Sequence, residues 1–376
     1  MIASEVFFER LKEQKEKDLP FVAYRTSSVK GDLLRAFIQP SAEIYKTKDF
    51  SETGFVFAPF DMEKEAILFP RDNCDVLETV FENGQGHIPT VGVNVSTPST
   101  AERKKHIELV QKGIDAIKEG RFRKVVLSRK EEVQSTNIDT ILLFRRLLSK
   151  YPDAFVYLMH HPRVGTWLGA TPEKLLEVER NRFKTMALAG TQKYIDTTDV
   201  VWGEKEREEQ QIVTDSILDN LKESLYNIRT TGPYTTRAGA LLHLRTDIEG
   251  EIKSRNEKKL IASLHPTPAV CGLPKKEAKD FILEHENYDR EFYTGFLGEI
   301  NMPQEVKRSS NRRNQENQAY SSIVPRTSFF VNLRCMKISN NLAEIFVGGG
   351  ITVDSKPEAE WEETQNKAGT MKAVLT

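Results

Sequence analysis

Apolar and polar positions along this chain repeat with two different periods, and the switches between them mark out its elements. Val6, Phe7 and Leu11 share one face of the charged segment 4–17, which predicts an amphipathic helix. Short strand-like runs follow within 19–25 and 43–60, and the Pro, Gly and Ser punctuation of 89–100 predicts a long loop. Ile107, Val110, Ile114 and Ile117 then repeat at helical spacing over 101–119. β-Branched residues bunch in 121–129, helical spacing returns over 138–150, and 154–160 reads as a strand. Residues 204–223 form a highly charged helix with Ile212, Val213, Ile217 and Leu221 as its buried stripe. Towards the C-terminus, a β-like run over 329–334 precedes 343–347, three glycines (Gly348, Gly349, Gly350), and a charged helix from Pro357 to Leu375. The two periods alternate irregularly, which predicts an α+β fold rather than a regular βαβ array.

Composition narrows the class. With 376 residues, 39% of them hydrophobic, the chain can bury a large core in one big domain or two. A net charge of −1 leaves no electrostatic footprint for nucleic acid or an anionic membrane. Cys74, Cys271 and Cys335 lie far apart, so neither a disulfide framework nor a zinc site is indicated. The first residues lack the basic and apolar regions of a signal peptide, and no apolar run approaches a membrane span, so a cytoplasmic protein is expected. Neither a Gly-x-Gly-x-x-Gly fingerprint nor a Gly-Lys-Ser/Thr loop occurs, so no dinucleotide or nucleoside triphosphate is indicated.

Several positions carry chemistry under one reading and none under another. Lys124 opens the apolar strand Val125-Val126-Leu127, where it is either a snorkelling surface residue or a desolvated amine able to act as a base. Glu173 follows the turn-like Ala170-Thr171-Pro172 and heads the apolar Leu175-Leu176; pointing inward its pKa would rise, and pointing outward it is an ordinary solvated charge. Gly190 ends a strand of small residues, suited to close ligand approach or to a plain turn. Glu209 lies at the edge of its helix's apolar stripe, while Glu363 and Lys367 form an i, i+4 pair that alone reads as a solvated pair worth roughly 0.2–0.5 kcal/mol. The three glycines remove side chains where the backbone meets either a ligand or a neighbouring strand.

Taken together and in order, these stretches resemble the chorismate-utilising enzymes, the family of isochorismate, anthranilate, aminodeoxychorismate and salicylate synthases, over roughly 100–376. The resemblance rests on Lys124 to Arg129, Gly169 to Glu173, Leu188 to Thr191, Lys205 to Glu209, Leu242 to Leu244, the run His265-Pro266-Thr267-Pro268-Ala269-Val270-Cys271-Gly272, Tyr293 to Gly295, and Gly348 to Lys367. It implies a single large α+β domain of two layered antiparallel sheets with helices outside, residues 1–100 belonging to the same fold and 101–376 carrying the site. Within the family, the 265–272 run resembles the isochorismate-forming members. The implied reaction adds water at C2 of chorismate and expels the C4 hydroxyl, with Lys124 as base and Glu173 as acid. Glu209 and Glu363 match the two carboxylates that hold Mg²⁺, an ion suited to oxygen ligands and retained waters. Arg334 matches the donor to the enolpyruvyl carboxylate, assisted by Tyr293. Gly348 and Gly349 match backbone donors, Lys367 a partner of the metal-side carboxylate, and Gly190, Thr191, His243 and Ala269 further substrate-side positions.

Departures from the family pattern matter too. Gln210 stands where a histidine is common after the glutamate motif, which questions tuning of the metal site; Glu208 adds an adjacent carboxylate, so the choice of Glu209 rests on the motif. Residues 303–326 are polar and basic, and are expected to form a flexible hairpin insertion. Salicylate-forming or amine-forming relatives are the nearest alternatives, opposed by Ala269-Val270-Cys271, and a non-catalytic chorismate-binding module is the third. Menaquinone and siderophore pathways stay equally open, and the resemblance implies a monomer.

Overall fold

A computed structural model describes residues 1–26, 33–81, 99–134, 138–239, 241–307 and 321–376. The N-terminal part comprises α1 (Ser4–Glu16), β1 (Phe21–Arg25), β2 (Leu33–Ile38), β3 (Tyr45–Thr47), β4 (Gly54–Ala58), β5 (Ala66–Pro70) and β6 (Asp75–Val80). Next come α2 (Thr100–Lys118), β7 (Lys124–Gln134), α3 (Thr140–Lys150), β8 (Phe155–His161), β9 (Gly165–Thr171), β10 (Lys174–Glu179) and β11 (Arg182–Lys193). The middle holds α4 (Glu204–Leu221), β12 (Leu225–Ala238), β13 (Leu241–Ile252), α5 (Glu257–Leu264), β14 (Gly272–Leu273) and α6 (Lys275–His285). The chain closes with β15 (Phe296–Lys307), β16 (Ser321–Val331), β17 (Cys335–Ser339), β18 (Leu342–Ile351) and α7 (Pro357–Leu375).

The described strands form two nine-stranded sheets, ordered β14-β7-β18-β17-β9-β8-β1-β2-β6 and β12-β13-β11-β10-β16-β15-β4-β5-β3. Strand alternation sorts each strand between two cores: Val22 and Tyr24 of β1 face the second sheet, while Phe21 and Ala23 face the helices. Phe155 and Phe330, one from each sheet, stack at 4.1 Å between ring centres, which marks the inter-sheet layer. α1, α3 and α7 cover the outer face of the first sheet, and α4 and α5 that of the second. The N-terminal strands enter both sheets, so residues 1–81 are an integral part of this fold.

Local sequence accounts for the elements that carry the site. α2 starts at a capping box, Ser99 with Glu102, and buries His106, Val110 and Ile114 at four-residue spacing. α7 has Pro357 in its first turn and packs on α2 and β18. Among the described residues, no helix is long and apolar enough to cross a membrane.

One expectation needs correcting. β16 ends at Val331, so Arg334 belongs to the connection into β17, with a left-handed φ of 47°. Within the expected hairpin 303–326, β15 pairs with β16 from Pro303↔Pro325 to Lys307↔Ser321; its centre, 308–320, lies outside the described residues, as does most of the expected loop 89–100.

Candidate functional site

Glu173, Gly190, Thr191, Glu209, His243, Ala269, Tyr293, Arg334, Gly348, Gly349, Glu363 and Lys367 line one cleft. Lys124 sits directly behind it, fully buried, its Nζ donating to Glu209 Oε1 at 2.8 Å. Burial comes from position: the side chain leaves β7 beside Gly350 of β18, whose missing side chain makes room for it. A Cβ at Gly350 would lie 2.6 Å from Glu209 Oε1 and 3.0 Å from Lys124 Cε. The snorkelling alternative for Lys124 is therefore wrong, because both neighbours of β7 cover its strand start.

β18 explains the glycines. Past Phe346 it loses β17 as a neighbour while keeping β7, which leaves one backbone edge of 347–351 open to the cleft. Lys367 Nζ already donates to Gly348 O at 3.0 Å along that edge. The neighbouring-strand reading of the glycines holds, since Gly348 packs against β7 so closely that a Cβ would meet Leu127 O at 2.8 Å.

Three carboxylates gather where α4, α7 and β18 meet, and each is held by its own lysine. Lys124 pairs with Glu209, Lys367 with Glu363 at 2.7 Å, and Lys205 with Glu360 at 3.0 Å. Burial pushes the Glu209 carboxyl up, but Lys124, Lys367 and Lys205 together outweigh it and hold the group below its ordinary range. Glu360 was missed by sequence reasoning. It is 2% exposed, its Oε2 has no hydrogen-bond partner among the described residues, and burial, then Glu363, raise its pKa against the pull of Lys205. Its signal was the i, i+3 spacing to Glu363, which puts both on one helix face.

An orphaned carboxylate oxygen beside two more carboxylates fits a divalent cation with oxygen ligands. Among the described residues no three His, Cys, Asp or Glu side chains are grouped closely enough to hold a metal by themselves, so an ion here would take most of its shell from water and ligand oxygens. Glu208 is exposed and lines only a neighbouring surface cleft, whereas Glu209 lines both that cleft and the candidate site. Gln210 turns away from the carboxylates, donating to Thr246 Oγ1 at 2.8 Å and Ala187 O at 3.3 Å. The missing histidine thus affects packing of α4 on the second sheet, not the carboxylate cluster.

The opposite end is built around Arg334 and Glu173. Arg334 donates through Nη1 to Ala238 O at 3.1 Å and through Nη2 to His243 Nε2 at 2.6 Å. His243 Nδ1 lies 2.8 Å from Gly190 O, a pure acceptor, so Nδ1 carries the proton and Nε2 offers its lone pair to the arginine. Burial, and then the Arg334 charge, push the His243 pKa down to about 3, which keeps the imidazole neutral. Gly190 takes a φ of 70° at a bulge in the β11–β13 pairing, which turns its carbonyl towards His243. Burial lowers the Arg334 pKa to about 10, opposed by Tyr151 and Glu173, so the guanidinium stays charged near neutral pH.

Glu173 lies between β9 and β10, 4% exposed. Burial pushes its pKa up to about 7 despite the pull of Lys124, Arg334 and Lys367. Tyr293, 3% exposed, is stacked on Phe346 at 5.5 Å and brings its hydroxyl to Gly348. One cleft thus offers a carboxyl poised to be protonated near neutrality, a carboxylate cluster and a charged guanidinium, with buried Lys124 directly behind them.

Residues 70–307 match the family described as "Chorismate binding enzyme", and residues 322–373 match a second family description, "chorismate binding enzyme". Isochorismate synthase EntC of Escherichia coli K12 is 31% identical over 263 residues, which cover 67% of this chain and 62% of that protein's length. The chain therefore matches less than two thirds of this relative. Solved structures of similar fold include DhbC from Bacillus anthracis, with a TM-score of 0.76 at 23% identity over 97% of this chain and 99% of that one. MenF, the menaquinone-specific isochorismate synthase of Escherichia coli, follows with a TM-score of 0.74 at 20% identity over 95% and 89%.

Proposed function

This chain belongs to the family of chorismate binding enzymes, and we propose that it converts chorismate to isochorismate with Mg²⁺ as cofactor. The observation that carries this reading is a cleft lined by Glu173, whose carboxyl can still be protonated near pH 7, with buried Lys124 directly behind it. In its uncharged form Lys124 takes a proton from water as the water oxygen bonds to C2, the ring double bonds shift, and the C4–O bond breaks. Glu173 gives its proton to the departing hydroxide, so one water enters and one leaves. Arg334 holds the enolpyruvyl carboxylate, with neutral His243 keeping its fork in place rather than competing with it for the anion. Glu209 and Glu363, with Glu360 beside them, would hold Mg²⁺, which when bound offsets the charge of the ring carboxylate. Isochorismate made this way feeds menaquinone or siderophore synthesis.

The reading is tested by incubating purified protein with Mg²⁺ and chorismate and separating the products. Isochorismate alone is expected. Salicylate with pyruvate, or an aminated product when ammonia is supplied, would assign the chain to another branch of the family, and unchanged chorismate would leave only a binding role.

A further inference from the structure

A second cavity, of about 460 Å³, lies on the outer side of the second sheet where β3 and β5 meet α5 and α6. Its floor is apolar, made by Phe50, Phe60, Met62 and Ile261. Its rim is basic. Lys48 and Lys279 are neutralised by Glu65 and Asp61 at 2.7 Å each, and Lys64 by Asp289. Lys275 instead donates to the backbone oxygens of Ala262 and His265, both at 3.0 Å, and exposed Lys258 makes no ion pair among the described residues. Against these two stand exposed Glu63 and, within reach of Lys258, the carboxylate of Asp49.

The back wall holds an unmet acceptor. His265 is 4% exposed, and its Nε2 lies 3.1 Å from Phe60 O, which can only accept. The proton is therefore on Nε2, and Nδ1, with no partner among the described residues, carries a free lone pair. An apolar slot, an ammonium pair at its mouth and a buried acceptor together select a flat apolar ring with a carboxylate at one end and a hydroxyl on it. The same wall runs on through Pro266, Thr267 and Pro268 to Ala269 and Val270, which line the catalytic cleft.

We propose that this cavity is an effector site for a small hydroxylated aromatic carboxylate, bound by Lys258 and Lys275 with its hydroxyl to His265 and felt in the cleft through 265–270. The claim extends the proposed reaction but its first test is independent of it. Calorimetric titration of the full chain with 4-hydroxybenzoate is expected to saturate equally in wild type and Arg334→Gln, and to weaken about tenfold in Lys258→Gln and in Lys275→Gln. Benzoate, lacking the hydroxyl, binds more weakly than 4-hydroxybenzoate. Loss of binding in Arg334→Gln with both lysine variants unchanged would put the ligand in the catalytic cleft and overturn the assignment, as would no saturable binding. Lys258 is exposed, so its variant keeps the test sound even if Lys275→Gln misfolds. At saturation the KM for chorismate shifts about twofold or more in wild type and not in Lys258→Gln; unchanged kcat and KM with the cavity filled would remove the effector role.

Discussion

At Glu173 the same burial that suits an acid costs stability. Its folded pKa of about 7 lies above the roughly 4.3 of an exposed glutamate, so the folded state holds the proton more tightly. That contribution is complete below about pH 4 and is lost as pH rises towards 7; above that the charged group destabilises the fold by about 3 kcal/mol. Glu173→Gln is therefore expected to be more stable than wild type in urea at pH 8, with the gap shrinking towards pH 4.5. A gap that does not change with pH would show that Glu173 titrates normally. Under the proposed mechanism Glu173 acts in its protonated form, so kcat/KM is expected to fall above about pH 7, and Glu173→Gln to lose about a hundredfold or more at every pH. Lys124→Ala is expected to abolish turnover while chorismate and Mg²⁺ still bind by calorimetry. At this scale the sequence was legible through motifs: it located Lys124, Glu173, Glu209, Arg334 and Glu363. Glu360 escaped because a row of four charged and aromatic residues, Glu360 to Glu363, does not reveal which face of a helix is buried until its neighbours are known.

The elements β18 and α7 carry the metal-side geometry, and their contact is set by glycine. A methyl at Gly350 would press on Glu209 Oε1 and Lys124 Cε, while at Gly349 it would lie a looser 3.3 Å from Glu360 Oε2. Overpacking of this kind costs about 1–3 kcal/mol, so Gly350→Ala is expected to lower kcat/KM by about tenfold or more and Gly349→Ala by less, both with cooperative melting. Equal activity in Gly350→Ala and wild type would show that the Lys124–Glu209 pair is not needed in this position. α7 was readable from Pro357 at its start and the charged run that follows, and β18 only in part, as 343–347, because its glycines carry no side-chain pattern. The β12–β13 hairpin was not: β12 is an edge strand, exposed along most of its length and rich in threonine and arginine, so no apolar alternation marks it. Yet its partner β13 supplies His243, and Ala238 at the end of β12 anchors Arg334.

For the whole molecule, the site exists only when distant parts of the chain close together: Lys124 from β7, Glu209 from α4, Arg334 before β17 and Glu363 from α7. No window of sequence contains that geometry, which is why order of motifs pointed to the cleft while distances within it had to come from the fold. The proposed metal, bound across α4 and α7, would tie those parts together, so Mg²⁺ is expected to raise the melting temperature of wild type, by about 2.7 kcal/mol of added stability at a hundredfold excess over Kd. Glu209→Gln with Glu363→Gln should lose that rise, and an unchanged shift would place the ion elsewhere. The most direct measurement of the central claim is turnover of chorismate in ¹⁸O-labelled water with the product analysed by mass spectrometry and NMR. Addition at C2 with loss of the C4 hydroxyl predicts isochorismate carrying one solvent oxygen, at C2; isochorismate without label would contradict it, because the hydroxyl would then have moved within the substrate rather than come from water activated by Lys124.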